Sequence, residues 1–223
     1  MKNNDWALVI TLGVLWGMSF VFVELLLTYL SPFLIVYLRL AIGALFLLAF
    51  VMIKAVPFDF TAKNIFNLSV MALLNNVIPF LLITIGQQTT TGGLASILNA
   101  NTSFVTIMLA ALLMRHETLT LNRVAGTLIG VAGVVVAIGY QSIFQIYDGT
   151  VGKYLILLAT VSYAFAGIWG KWRLATVPPM IAATGMLTMS ALFNIRLHSH
   201  CYARCSPISS ILKFLREQAP ETY

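Results

Sequence analysis

Residues 32–53 read PFLIVYLRLAIGALFLLAFVMI, with Arg39 as the one charge in the run. A helix rises 1.5 Å per residue, so a stretch of this length covers the roughly 30 Å hydrocarbon thickness of a bilayer. The apolar residues occupy every side of such a helix, so no face is left for water. A barrel strand would instead alternate apolar and polar residues with a period of two. The stretch reads as a transmembrane helix, and the rest of the chain repeats the theme. Apolar segments run over about 6–29, 32–53, 67–86, 91–114, 123–140, 153–170 and 176–195. The expected fold is an all-α membrane protein, a polytopic helical bundle of about seven transmembrane helices.

Composition agrees. The chain of 223 residues is 60% hydrophobic and 9% charged, with a mean hydropathy of +0.93. A soluble domain carries about 25% charged residues. So few charges cannot build a surface that faces water, and the lipid bilayer is the expected surroundings. The formal charge is +6. Its basic residues stand singly between apolar runs, which does not fit a nucleic-acid surface. Cys201 and Cys205 fall together near the C-terminus and form no disulfide framework. The first apolar run is too long for a signal peptide and lacks a small-x-small cleavage site, so it reads as a retained span.

Lysine and arginine orient the spans. Lys2, then Lys54 and Lys63, then Arg115 and Arg123, then Lys171 and Arg173 fall in every second connection. Basic residues are retained on the cytoplasmic side, which predicts a cytoplasmic N-terminus. The alternation breaks after the seventh segment, where Arg196, Arg204, Lys213 and Arg216 follow.

A shift of 147 residues lays the chain on itself. Trp16-Gly17 then meets Tyr163-Ala164, Pro32 meets Pro179, and Ala44-Leu45-Phe46 meets Ala191-Leu192-Phe193. The first unit, residues 6–140, holds five spans. An odd number starts the second unit from the opposite side, which is the inverted repeat of many secondary transporters. Only two spans of the second unit follow, in residues 153–195, and residues 196–223 form a basic tail.

The stretch from Ile85-Gly86-Gln87-Gln88 to Val134 is the most telling part of the chain. It contains Gly92-Gly93-Leu94-Ala95-Ser96-Ile97-Leu98-Asn99-Ala100-Asn101-Thr102, then Glu117-Thr118-Leu119-Thr120, then Gly126-Thr127-Leu128-Ile129-Gly130-Val131-Ala132-Gly133. With Leu15-Trp16-Gly17, Ser31-Pro32 and Arg39, it resembles the EamA-type transporters of the drug/metabolite transporter superfamily over about residues 6–193. Ser103 stands where that family usually has proline. The resemblance implies a complete fold of ten helices in two repeats, in a bacterial inner membrane. It implies export of small metabolites or drugs by alternating access, usually driven by an ion gradient such as H+ or Na+. The residues after Asn194 do not resemble the family's continuation, which predicts a truncated or frameshifted product lacking three spans. The alternative expectation is therefore a transport-inactive fragment, or a regulatory partner that pairs with another copy or another membrane protein.

Several residues stand out as site candidates. Asn75 and Asn76 lie mid-span, four and three residues before Pro79. Proline lacks an N–H and frees the carbonyl four residues earlier, here that of Asn75. Freed carbonyls near the midplane build transporter sites, although asparagine also serves as glue between helices. Asn99 and Thr102 share a helix face in the fourth span, while Asn101 points away and is expected to reach a neighbouring helix. Trp16 and its repeat mate Tyr163 are candidates to stack on a solute. Glu24 and Arg39 are charges inside apolar runs at similar depth, expected to pair across the hairpin or to carry ion coupling. Gly126, Gly130 and Gly133 form a small-residue stripe for close helix packing.

The expected ligand is a small neutral or zwitterionic solute. No motif supports an enzyme or a cofactor: there is no P-loop, no G-x-G-x-x-G and no H-E-x-x-H. His198, His200, Cys201 and Cys205 match no standard zinc spacing, so no metal is expected.

Overall fold

A computed structural model describes residues 3–54, 61–113 and 150–205, with 122, 124–126, 128–129 and 132–133 between the last two blocks. Every regular element among the described residues is helical. We label them α1 (Asn3–Leu26), α2 (Pro32–Lys54), α3 (Ala62–Ala72), α4 (Ile78–Gly86), α5 (Gly92–Ala100), α6 (Thr102–Leu113), α7 (Thr150–Arg173) and α8 (Pro179–Cys205). A π-helical turn, Leu73–Val77, joins α3 to α4. Among the described residues six stretches are long and apolar enough to cross a membrane: Asp5–Leu26, Pro32–Lys54, Ala62–Gly86, Gly92–Leu113, Val151–Arg173 and Pro179–Leu197. The chain is an integral membrane protein. The expected fifth span, 123–140, falls largely outside the described residues, as do residues 206–223.

Local chemistry sets the helix ends. The third span begins before the apolar run, because Thr61 caps it: its hydroxyl accepts from the Asn64 N–H at 3.3 Å. The first span stops at Leu26, where the Thr28 hydroxyl donates to the Leu25 carbonyl and turns the chain toward Pro32. The last span starts at Pro179 rather than near 176, because a residue preceding proline is driven out of the helical region.

The fourth span is not one continuous helix. At Asn101 the N–H donates three residues back, to Leu98, and the Asn101 side chain donates to the same carbonyl at 3.1 Å. The expected bond from Asn101 to a neighbouring helix is replaced by this local one, because a short amide competes with the backbone of its own turn.

Contacts along the helices fix their directions. Gly152 at the start of α7 meets Gly86 at the end of α4. Ser162 reaches Leu74, and Trp169 donates to the Asn67 carbonyl at 3.3 Å. Thus α7 runs antiparallel to α3 and α4. Gly185 lies against Leu68, and Ser190 against Ala72 and Asn76, so α8 runs parallel to α3. Ala95 clusters with Ile156 and Ala159 while Gly167 lies near Thr106, so the fourth span and α7 run the same way. Leu113 and Thr150, which bracket the expected fifth segment, sit at opposite ends of the bundle.

Packing follows small residues, as expected where lipid is as apolar as leucine. Phe20, Ile83, Ala95, Ile156 and Ala159 form a buried cluster that joins α1, α4, α5 and α7. Val36, Leu40 and Ala44 form a buried stripe along α2, which packs on α8. Helix α1 keeps most of its apolar surface outward; Leu8 is 70% exposed, as suits a lipid-facing helix.

Candidate functional site

The π-helical turn decides how the third span presents its asparagines. In this turn the Ile78 N–H donates five residues back, to Leu73. The next carbonyl in that register, Leu74, faces Pro79, which has no N–H to give. In the π register, Pro79 therefore leaves the Leu74 carbonyl without a backbone donor. The Ser162 hydroxyl donates to it at 2.7 Å. An acceptor stranded inside the bilayer is thereby satisfied by the neighbouring helix.

The same turn places Asn75 and Asn76 toward α8. The Asn76 amide donates to the Ser190 hydroxyl at 3.0 Å, and Ser190 donates on to the Met186 carbonyl at 2.5 Å. Asn76 is buried and acts as interhelical glue as well as cavity wall. The half-buried Asn75 sends its amide toward Asn76 Oδ1 at 3.2 Å and Met186 Sδ at 3.9 Å.

Beside these asparagines is a cavity of about 530 Å3. All six residues singled out for solute contact line it: Trp16, Asn75, Asn76, Asn99, Thr102 and Tyr163. Arg39 lines it as well. Residues without a sequence signal complete the wall: Met71, Phe80, Gly167, Met186 and Leu187. Each described span contributes, from α1 through α8. Thr102 and Thr106 return their hydroxyl protons to carbonyls of their own helix at 2.6 and 2.7 Å. Asn99 Oδ1 is buried without a partner among the described residues.

The cavity narrows at Trp16, Arg39, Phe80, Asn99 and Tyr163. The same five residues line a second, much smaller pocket of about 20 Å3, which continues toward Gln87. The space is therefore wide on the Met71 side and nearly closed on the Gln87 side. Asparagine, threonine and tyrosine groups offer neutral hydrogen bonds, and the methionine and aromatic surfaces offer apolar contact.

Glu24 and Arg39 do not pair. Glu24 Oε2 accepts from the Gly92 N–H at 2.8 Å. That amide belongs to the first turn of α5, where backbone donors have no helical partner and the dipole favours an anion. The approach requires glycine, since a Cβ at residue 92 would lie 2.7 Å from Glu24 Oε2 and 3.0 Å from the Phe20 carbonyl. Gln87 adds a second tie, donating to the Phe20 carbonyl at 3.0 Å. Arg39 instead lies over the Phe80 ring, 4.3 Å from its centroid. The similar depth expected from the sequence does not bring the two charges together, because Glu24 turns to α5 and Arg39 to the cavity.

Gly126 and Gly133 are not among the residues that line the cavity. Nothing described lies within 4 Å of a Cβ built at Gly126 or Gly133, and Gly130 is outside the described residues. A close glycine contact is seen between Gly86 and Gly152.

A family model covers much of the chain. Residues 6–139 match the EamA-like transporter family. An uncharacterized transporter of Archaeoglobus fulgidus is 26% identical over 194 residues, covering 85% of this chain and 65% of that protein. A chloroplastic WAT1-related protein of Arabidopsis thaliana is 25% identical over 194 residues, covering 84% of this chain and 46% of that protein. The chain thus spans about two thirds and about half of these relatives' lengths. A protein solved by crystallography shares the fold, with a TM-score of 0.61 at 19% identity over 86% of this chain and 67% of that one. With more than half of its residues inside the matched region and a helical membrane fold to carry them, the chain belongs to the EamA-like transporter family.

Proposed function

We propose that this chain carries the solute cavity of a secondary transporter that exports small metabolites or drugs by alternating access. The observation that carries this reading is the convergence of Trp16, Asn75, Asn76, Asn99, Thr102 and Tyr163 on one cavity inside the bundle. Polar groups are costly at membrane depth unless they line such a space or pair with one another. The π-helical turn beside the cavity supports the reading, since interrupted helices recur at transporter sites.

Helix direction supports an inverted repeat of residues 6–140 and 153–195. At a shift of 147 residues α1 corresponds to α7 and α2 to α8. Each pair runs in opposite directions through the bundle. With the N-terminus in the cytoplasm of a bacterial inner membrane, the wide part of the cavity faces inward. The Glu24–Gly92 and Gln87–Phe20 bonds then hold the outer end closed. Opening that end while closing the other would complete the cycle. Glu24 is the proposed coupling acid, because proton or sodium binding there would compete with its bond to α5. The outward apolar face of α1 suits lipid or a second copy.

Solute counterflow into proteoliposomes tests the reading. Trans-stimulated uptake of a small solute, reduced by Asn75→Ala, supports it. Accumulation driven by a pH or sodium gradient rejects a channel. Counterflow of no solute from a broad panel overturns transport by this chain and favours a role as a membrane partner.

A further inference from the structure

We infer that the cavity takes a carboxylate-bearing organic solute, with the Arg39 guanidinium as its anchor; this rests on the reading of the cavity as a solute site. Arg39 lies inside a membrane span and is charged at any physiological pH. A cation at that depth is costly unless something answers its charge. No carboxylate does so among the described residues. The described acids are Asp5, at the start of α1, and Glu24, which is committed to the Gly92 N–H. One face of the guanidinium rests on Phe80, 4.3 Å from the ring centroid. Stacking of this kind covers the flat face and leaves the N–H edge for a planar, bidentate partner.

The rest of the wall limits what that partner is attached to. Trp16 and Tyr163 share the constriction with Arg39, and Met71, Met186 and Leu187 line the wide part. These surfaces suit an apolar body and offer no second cation for a polyanion. Asn99 Oδ1, buried at the constriction without a partner among the described residues, supplies one acceptor for a donor on the solute. The cavity therefore fits a small amphipathic monocarboxylate better than a sugar, a phosphate ester or a cationic drug.

The test uses the full chain, purified in detergent, and the matched probes 3-phenylpropionate and 3-phenylpropionamide. The two share a shape and differ in charge. We expect the carboxylate to bind at least about 10-fold more tightly than the amide, as charge-assisted bidentate bonds allow. Arg39→Gln should erase that preference, and Arg39→Lys should keep part of it, since lysine keeps the charge without the fork. Equal binding of the two probes, binding of neither, or an unchanged preference in Arg39→Gln overturns the inference. The probe comparison in the unaltered chain decides the matter even where a variant does not fold. Carboxylate preference without counterflow of any solute upholds the inference and overturns transport. Counterflow of neutral solutes without carboxylate preference does the reverse.

Discussion

The Ser162 hydroxyl on α7 donates to the Leu74 carbonyl, 2.7 Å away, and answers the acceptor that the π-helical turn leaves opposite Pro79. One side chain thus licenses an interrupted helix at the edge of the cavity. Ser162→Ala removes the donor and strands a carbonyl in an apolar interior. We expect a loss of about 1–3 kcal/mol, read as lowered thermal stability in detergent. Ser69→Ala is the control: its hydroxyl bonds an exposed carbonyl of its own helix at 2.8 Å and should cost about 0.5 kcal/mol or less. Equal effects of the two substitutions would remove the special place given to Leu74.

Gly86 and Gly152 bring α4 and α7 into backbone contact. A Cβ on Gly152 would collide with the Gly86 carbonyl and the Thr89 hydroxyl, and one on Gly86 would lie 2.7 Å from the Gly152 carbonyl. Gly152→Ala should therefore destabilise by about 1–3 kcal/mol, because backbone cannot step aside. At Gly185 the colliding atom is the end of the flexible Leu68 side chain, 2.7 Å away, so Gly185→Ala should cost less. Gly167→Ala meets only Thr106 at 3.9 Å and should be nearly neutral. Melting temperatures of the three variants give the ranking, and a reversed order would contradict the packing.

Asn76 and Ser190 join the π-helical turn to α8. A double-mutant cycle with Asn76→Ala and Ser190→Ala should return a coupling of about 0.6–1.5 kcal/mol, the range for polar pairs between membrane helices. A coupling near zero would mean that the two groups do not depend on each other.

The Glu24 carboxylate holds the first amide of α5. Glu24→Ala should speed hydrogen exchange at the start of α5 by about 5-fold or more. Glu24→Gln should fall between, since a neutral acceptor is roughly half as strong as a charged one. Unchanged exchange in Glu24→Ala would show that this tie does not close the end of the bundle. In proteoliposomes, Glu24→Gln should also abolish pH-driven uptake if Glu24 carries the proton.

Much of the architecture was legible in one dimension. Twenty apolar residues in a row have few alternatives in a bilayer, because backbone groups there must bond within the segment. Depth was legible too, since a helix converts residue number into height at 1.5 Å per step. Depth is what groups Asn75 and Asn76 with Asn99, whereas Trp16 stands out by the family resemblance and Tyr163 by its repeat position. Asn76 shows what depth leaves open: it lines the cavity, and its amide also bonds Ser190 on α8.

Sequence alone determined the class of fold and the family. Only the tertiary structure decided the partners. Rotation and sliding of one helix against another turn Glu24 to Gly92 and Arg39 to Phe80, and no local pattern encodes those choices. The π register of Leu73–Val77 likewise sets the Leu74 carbonyl opposite Pro79, where the Ser162 hydroxyl donates to it from across the interface. Apolar spans carry little directional information along their length, so small residues and a few hydrogen bonds between helices set their final rotation.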